Sequence, residues 1–86
     1  MINLNYTMQN KSGVNFEVNI AFNPAIGVST ALLDGKIIEQ VFTSILDEPN
    51  TDNDKDWEIY DDRLSDWKEY AILKMKPRIL EVLNKK

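Results

Sequence analysis

Residues 2–8, INLNYTM, alternate without a break. Ile2, Leu4, Tyr6 and Met8 fall on one side, and Asn3, Asn5 and Thr7 on the other. A period of two is the signature of a strand with one buried face. After the turn chemistry of NKSG at 10–13 the pattern returns, with Val14, Phe16, Val18, Ile20 and Phe22 opposed to Asn15, Glu17, Asn19 and Ala21. Two such strands so close together predict an antiparallel hairpin. The hairpin limits the fold most, because a sheet with one apolar face needs a second layer to cover it.

Downstream, NPAIG at 23–27 ends the second strand: Pro24 lacks a donor and Gly27 permits a turn. In VSTALLDG, Val28, Thr30 and Leu32 would form a third strand, and Asp34-Gly35 could close a second hairpin. Against that, Ile37, Ile38, Val41, Phe42, Ile45 and Leu46 recur as adjacent pairs every four residues, the stripe of an amphipathic helix. The spacing therefore predicts Asp34 as an N-cap and a helix over 36–47, stopped by Pro49. Polar NTDNDKD at 50–56 reads as the main part of an acidic surface loop, 48–56. WEIY at 57–60 fits either a short edge strand or a first helical turn. From Tyr60 the helical period is clear, through Leu64, Trp67, Ala71 and Met75 to Ile79, Leu80, Val82 and Leu83. Pro77 implies a kink or a new helix. The expected fold is α+β in one domain, 1–86, β-rich over 1–33 and helical over 34–86. Its small antiparallel sheet, the N-terminal hairpin with a third strand if 28–33 joins it, packs against two or three helices.

Several functions are excluded by what the chain lacks. It has no cysteine and no histidine, which removes disulfides, thiolate and histidine catalysis and the commonest zinc ligands. No phosphate-cradling glycine loop or nucleophile elbow is present. Asp52, Asp54 and Asp56 have the spacing of the first three ligands of a calcium loop. Trp57 stands where that loop requires glycine and Arg63 where it requires glutamate. Asp61, Asp62, Asp66 and Glu69 include carboxylates close enough to pair. Acid–base work would also need a pocket that a core this small rarely encloses. The reading expects no catalysis, no cofactor and no metal. With no basic, apolar leader at the N-terminus and no run of apolar residues long enough to span a bilayer, it expects a cytoplasmic protein with no membrane partner.

The charge is unevenly placed. Net charge is −4, yet residues 47–66 hold nine of the fourteen acids, and five of the ten basic residues follow position 73. The basic tail, Lys74, Lys76, Arg78, Lys85 and Lys86, is in part what a helix C-terminus attracts. It has no interleaved aromatics and sits in an acidic chain, so direct nucleic-acid binding is not expected.

If residues 58–75 are helical, Glu58, Asp62, Asp66 and Glu69 share about one quadrant, opposite the apolar residues. The plain reading is a solvated face. The sharper reading notes that Glu58–Asp62 and Asp62–Asp66 are like-charge neighbours, which disfavour the helix. Asp61 flanks this strip, Asp52, Asp54 and Asp56 precede it, and Tyr70 and Leu73 border it as apolar anchors. Such a strip fits a basic partner surface, above all the channel of a nucleic-acid-handling enzyme, where carboxylates stand in for phosphates. In size, charge and economy of fold the chain is similar to the small acidic inhibitors that phages and mobile elements direct against restriction, CRISPR or repair enzymes. No motif carries a family assignment. The alternatives are a regulatory, assembly or immunity-type protein that binds a basic patch, or a homodimer or larger assembly built through a sheet edge.

Overall fold

A computed structural model describes residues 1–86. Strands β1 (Ile2–Gln9), β2 (Asn15–Asn23), β3 (Val28–Leu33) and β4 (Lys36–Phe42) form one antiparallel sheet, and a single helix, α1 (Asp54–Leu83), follows. The strand order β1-β2-β3-β4 makes a meander whose edges are β1 and β4. No helix is long and apolar enough to cross a membrane.

The hairpin forms in the register its alternation implies, with Ile2 opposite Phe22, Leu4 opposite Ile20, Tyr6 opposite Val18 and Met8 opposite Phe16. Val18, Ile20 and Phe22 are fully buried. In β3 the inward face is the opposite of the expected one. Ser29, Ala31 and Leu33 are buried, because Phe22 pairs with Ser29 and Ile20 with Ala31. Val28 and Leu32 instead pair on the outer face with Phe42 and Ile37 of β4. The Ser29 hydroxyl lies in the core without a hydrogen-bond partner.

The helix expected over 36–47, capped by Asp34, is strand β4. Asp34 and Gly35 both take positive φ, 53° and 77°, as the tight turn matching β-sheet twist requires. The apparent helical stripe has a local cause. A register shift opposite Ala31/Leu32 breaks the alternation once. Ile38 and Val41 then pack against the core, while Ile37 and Phe42 stay exposed. The β-branched residues of KIIEQVF also favour extended backbone. The sheet therefore has four strands, strand structure extends to residue 42, and there is one helix where two or three were expected.

α1 starts earlier than its apolar period suggests. Asn53 caps it by accepting from the Lys55 amide at 2.9 Å, so WEIY is helical and Asp54 and Asp56 lie in the first turn. The acidic connection ends at residue 53. The helix also continues through Pro77. The carbonyl left without a donor there belongs to Leu73, whose exposed position leaves it to water. The last turn holds no basic residue, so only Lys85 and Lys86, beyond it, complement the helix dipole.

Trp67, Ala71, Met75, Ile79 and Leu83, four residues apart, form the ridge that α1 lays on the sheet. Trp67 meets Phe22 edge-on at 6.1 Å and donates its indole N–H to the Ser44 carbonyl at 2.7 Å. The connection after β4 is pinned to the β2–β3 turn, since Thr43 N donates to Gly27 O at 2.8 Å and Leu46 N to Pro24 O at 2.9 Å. At the far end buried Asn10 clasps the helix. Its Oδ1 accepts from the Ser12 and Val14 amides and its Nδ2 donates to the Leu83 carbonyl. Lys11 N donates to Asn84 Oδ1 alongside. Thirty residues of helix span ~45 Å, nearly the 48 Å longest dimension of the molecule. α1 is thus longer than the sheet. Tyr60 sits beside Met1, Ile2 and Pro24 at the sheet's end. The turns before it project past, braced by the 43–53 connection.

Candidate functional site

The outward side of α1 is built by the same fourfold spacing as its buried ridge. Asp54, Glu58, Asp62, Asp66, Tyr70, Lys74 and Arg78 follow one another at i+4, a single ridge that is acidic for four positions, aromatic at one and basic at two. Glu69 lies beside its acidic half. Along the helix these groups are ~6 Å apart.

All the carboxylates from Asp52 to Glu69 are exposed. None of them forms an ion pair, although Lys55, Arg63 and Lys68 are interspersed. The only two salt bridges join Glu81 to Arg78, at 2.9 Å, and to Lys85, at 3.5 Å. The one acid of the last turns is therefore paired, and those of the first four are left open. With the helix starting at Asp54, Lys55 also falls among the acids of the outward quadrant at its first turn. The strip is free of basic residues only from Glu58 onward.

The ten residues singled out in the sequence do not form one patch. Asp54, Glu58, Asp62, Asp66 and Glu69 share the outward face. Asp52 belongs to the connection before the helix. Asp56 turns toward one flank, where it lines a cleft of about 340 Å³ with Leu46, Asp47, Pro49, Ile59, Tyr60 and Arg63. Asp61 lies on the other flank. Burial pushes the Tyr60 phenol above its usual range, and Glu48, Asp61 and Asp47 add to the shift. Asp61 of the helix and Asp47 and Glu48 of the connection before it therefore act on this ring. No three acids converge closely enough to hold a metal ion.

Asp66, Glu69, Tyr70 and Leu73 do come together. They line a shallow groove of about 390 Å³ on the outer side of α1. Tyr70 is 52% exposed and Leu73 69% exposed, with no part in the core. Lys74 holds its ammonium 5.3 Å from the Tyr70 ring centre, so this ring face already carries a cation. The groove combines two carboxylates with two apolar side chains, the chemistry that receives an Arg or Lys head group together with its aliphatic stem. The sequence reading assigned Lys74 to a basic tail and missed its place over Tyr70, where the outward ridge changes sign. The i+4 spacing carries both once Asn53 is taken as the cap.

Compared with family models, curated proteins and solved structures, the chain matches none of them.

Proposed function

We propose that this chain is a non-catalytic binding protein that offers the outer face of α1 to a basic, nucleic-acid-handling protein in place of a nucleic-acid backbone. The observation that carries the reading is the open charge. Seven carboxylates between Asp54 and Glu69 are exposed and unpaired on one continuous helix. Five of them, Asp54, Glu58, Asp62, Asp66 and Glu69, share the outer face over ~22 Å of helix axis, one per ~5 Å, a continuous negative strip more widely spaced than the ~3.4 Å per phosphate of one DNA strand. A helix fixes these charges in place before binding, so little order is lost on docking. Lys and Arg that line a nucleic-acid channel are attracted by a fixed row of negative charge, and the carboxylates of this face supply one. The Asp66–Glu69–Tyr70–Leu73 groove adds apolar contact that phosphates lack, and so favours a protein partner with an Arg or Lys beside an apolar rim. Restriction, CRISPR and repair enzymes present such channels, and inhibition would follow from occupancy alone.

The test is affinity capture from cell extract. Tagged wild type is compared with a variant carrying Asp54→Asn, Asp56→Asn, Asp62→Asn and Asp66→Asn, whose folding is checked by circular dichroism. The expected result is a nucleic-acid-binding protein that elutes from wild type at moderate salt, is displaced by added duplex DNA, and is absent from the variant. Retention of the same partner by both proteins, or displacement by salt but not by duplex, overturns the reading.

A further inference from the structure

The two edges of the sheet are unlike each other, and the difference points to a second use of the molecule. β4 carries the devices that discourage edge pairing: the register shift near Ile38, and the charges of Lys36 and Glu39. β1 has none of them. Its eight residues, INLNYTMQ, include no charge, no proline and no glycine, and its pairing with β2 is unbroken from Ile2 to Gln9. Its outer row of amides and carbonyls is open. α1 lies closest to β4 and only brushes β1. The inward row of β1 is consequently half-covered: Ile2, Tyr6 and Met8 are partly buried, and Leu4 is 37% exposed.

We infer that β1 is the seam of a homodimer, pairing antiparallel with β1 of a second copy about a two-fold axis at Asn5. This register matches the strand to itself. On the inward face Ile2 meets Met8 and Leu4 meets Tyr6 of the second copy. On the outward face Asn3 meets Thr7, and Asn5 meets Asn5. Within Ile2–Met8 every apolar side chain finds an apolar partner and every polar one a polar partner, and Gln9 falls opposite Met1. The parity also agrees, since opposed residues share odd or even number and those with outward-facing backbone groups meet their like. Charge permits the approach. β1 is neutral, β2 carries only Glu17, and the acidic ridge stands on a helix displaced toward the opposite edge. The dimer would be one eight-stranded sheet with both helices on the same side.

The seven self-paired residues, Ile2–Met8, extend ~24 Å, and with side chains on both faces the seam buries on the order of 500 Å² per copy. That is below the ~800 Å² per partner of standard stable interfaces. The expected association is therefore of the weak, transient class.

Sedimentation equilibrium from about 1 to about 500 µM tests this. Wild type should pass from monomer to dimer across the range. Asn3→Lys with Thr7→Lys places like charges opposite each other twice at the seam and should weaken the dimer about tenfold. Asn3→Glu with Thr7→Lys places opposite charges there and should restore or exceed wild-type association. Both positions are exposed on the outer face. In the monomer Asn3 pairs with Ala21 and Thr7 with Glu17, so neither variant sets like charges against each other within one chain. A wild type that stays monomeric throughout refutes the proposal. So does a Lys/Lys variant that dimerises as wild type does, or a Glu/Lys variant that dissociates as the Lys/Lys variant does.

Discussion

Replacing Asp62 by Lys should make the protein more stable and less able to bind. Asp62 stands between Glu58 and Asp66 on the outward ridge, at i−4 and i+4, with no ion pair to any base. Each such contact between exposed charges changes helix stability by ~0.2–0.5 kcal/mol, with a sign set by the charges. Asp62→Lys turns two repulsive contacts into two attractive ones, a swing of ~0.8–2 kcal/mol. In the pair with Asp66 the introduced base precedes the acid, which is the weaker of the two orientations, and solvent screens both pairs. The net expectation is about 1 kcal/mol, or ~4–8 °C in Tm for a domain of this size. Lys is also a better helix former than Asp, and that part of the gain does not depend on salt. Urea unfolding followed by helix circular dichroism at about 20 mM and about 500 mM salt separates the two. The electrostatic part should appear at low salt and fade at high salt. A variant no more stable than wild type at low salt, or one whose whole gain survives high salt, refutes the claim that the ridge is strained by its own charge. The same substitution should remove the partner captured by wild type, so that lost binding cannot be ascribed to lost folding.

Two further substitutions probe the joints that hold α1 in position. Gly27→Ala would place a Cβ 2.5 Å from the Thr43 carbonyl oxygen at a residue with φ of +71°. The turn or the strand-to-helix connection must shift, and a loss of ~2 kcal/mol or more is expected as a lower urea midpoint. Asn10→Ala removes the acceptor of the Ser12 and Val14 amides and the donor to Leu83 O. The last contact is long at 3.4 Å, so the expected loss is ~2 kcal/mol, or ~8–16 °C in Tm.

The parts of the fold legible in the sequence are those where one rule acts alone. In the hairpin, apolar residues occupy a single face, so period and register follow together. In α1, Tyr60 to Leu83 keep one phase against the sheet. The reading failed where two rules overlapped. β4 displays apolar residues on both faces and shifts register once, and the sum of those effects imitates a helical stripe. Asp34-Gly35 signals both a cap and a tight turn, and only the pairing of Leu33 with Lys36 decides between them. β3 has Val28 and Leu32 on one face and Ala31 and Leu33 on the other, so alternation could not say which side is in. For the candidate surface, the apolar period located the helix but not its start, and the charge-dense stretch at 50–56 read as loop although α1 begins at Asp54. Shifting the first turn back to Asp54 brought Lys55 into the outward quadrant, moved Asp56 to a flank, and extended the acidic ridge to four carboxylates in line.

The meander followed by one helix also fixes the order in which the chain becomes watertight during synthesis. Each strand can pair as soon as its successor emerges, since every pairing is with a neighbour in sequence. The layer that covers Val18, Ile20 and Phe22 comes entirely from residues after Phe42. At ~5–20 residues per second the stretch from Phe42 to Leu83 takes ~2–8 s to make. For that time a nascent four-stranded sheet shows its greasy side to the cell, and its two edges face the risk unequally. β4 is guarded by its bulge and charges while the connection behind it is still being made. β1, plain and uncharged, is the place where a growing chain would first find a neighbour on the same messenger RNA.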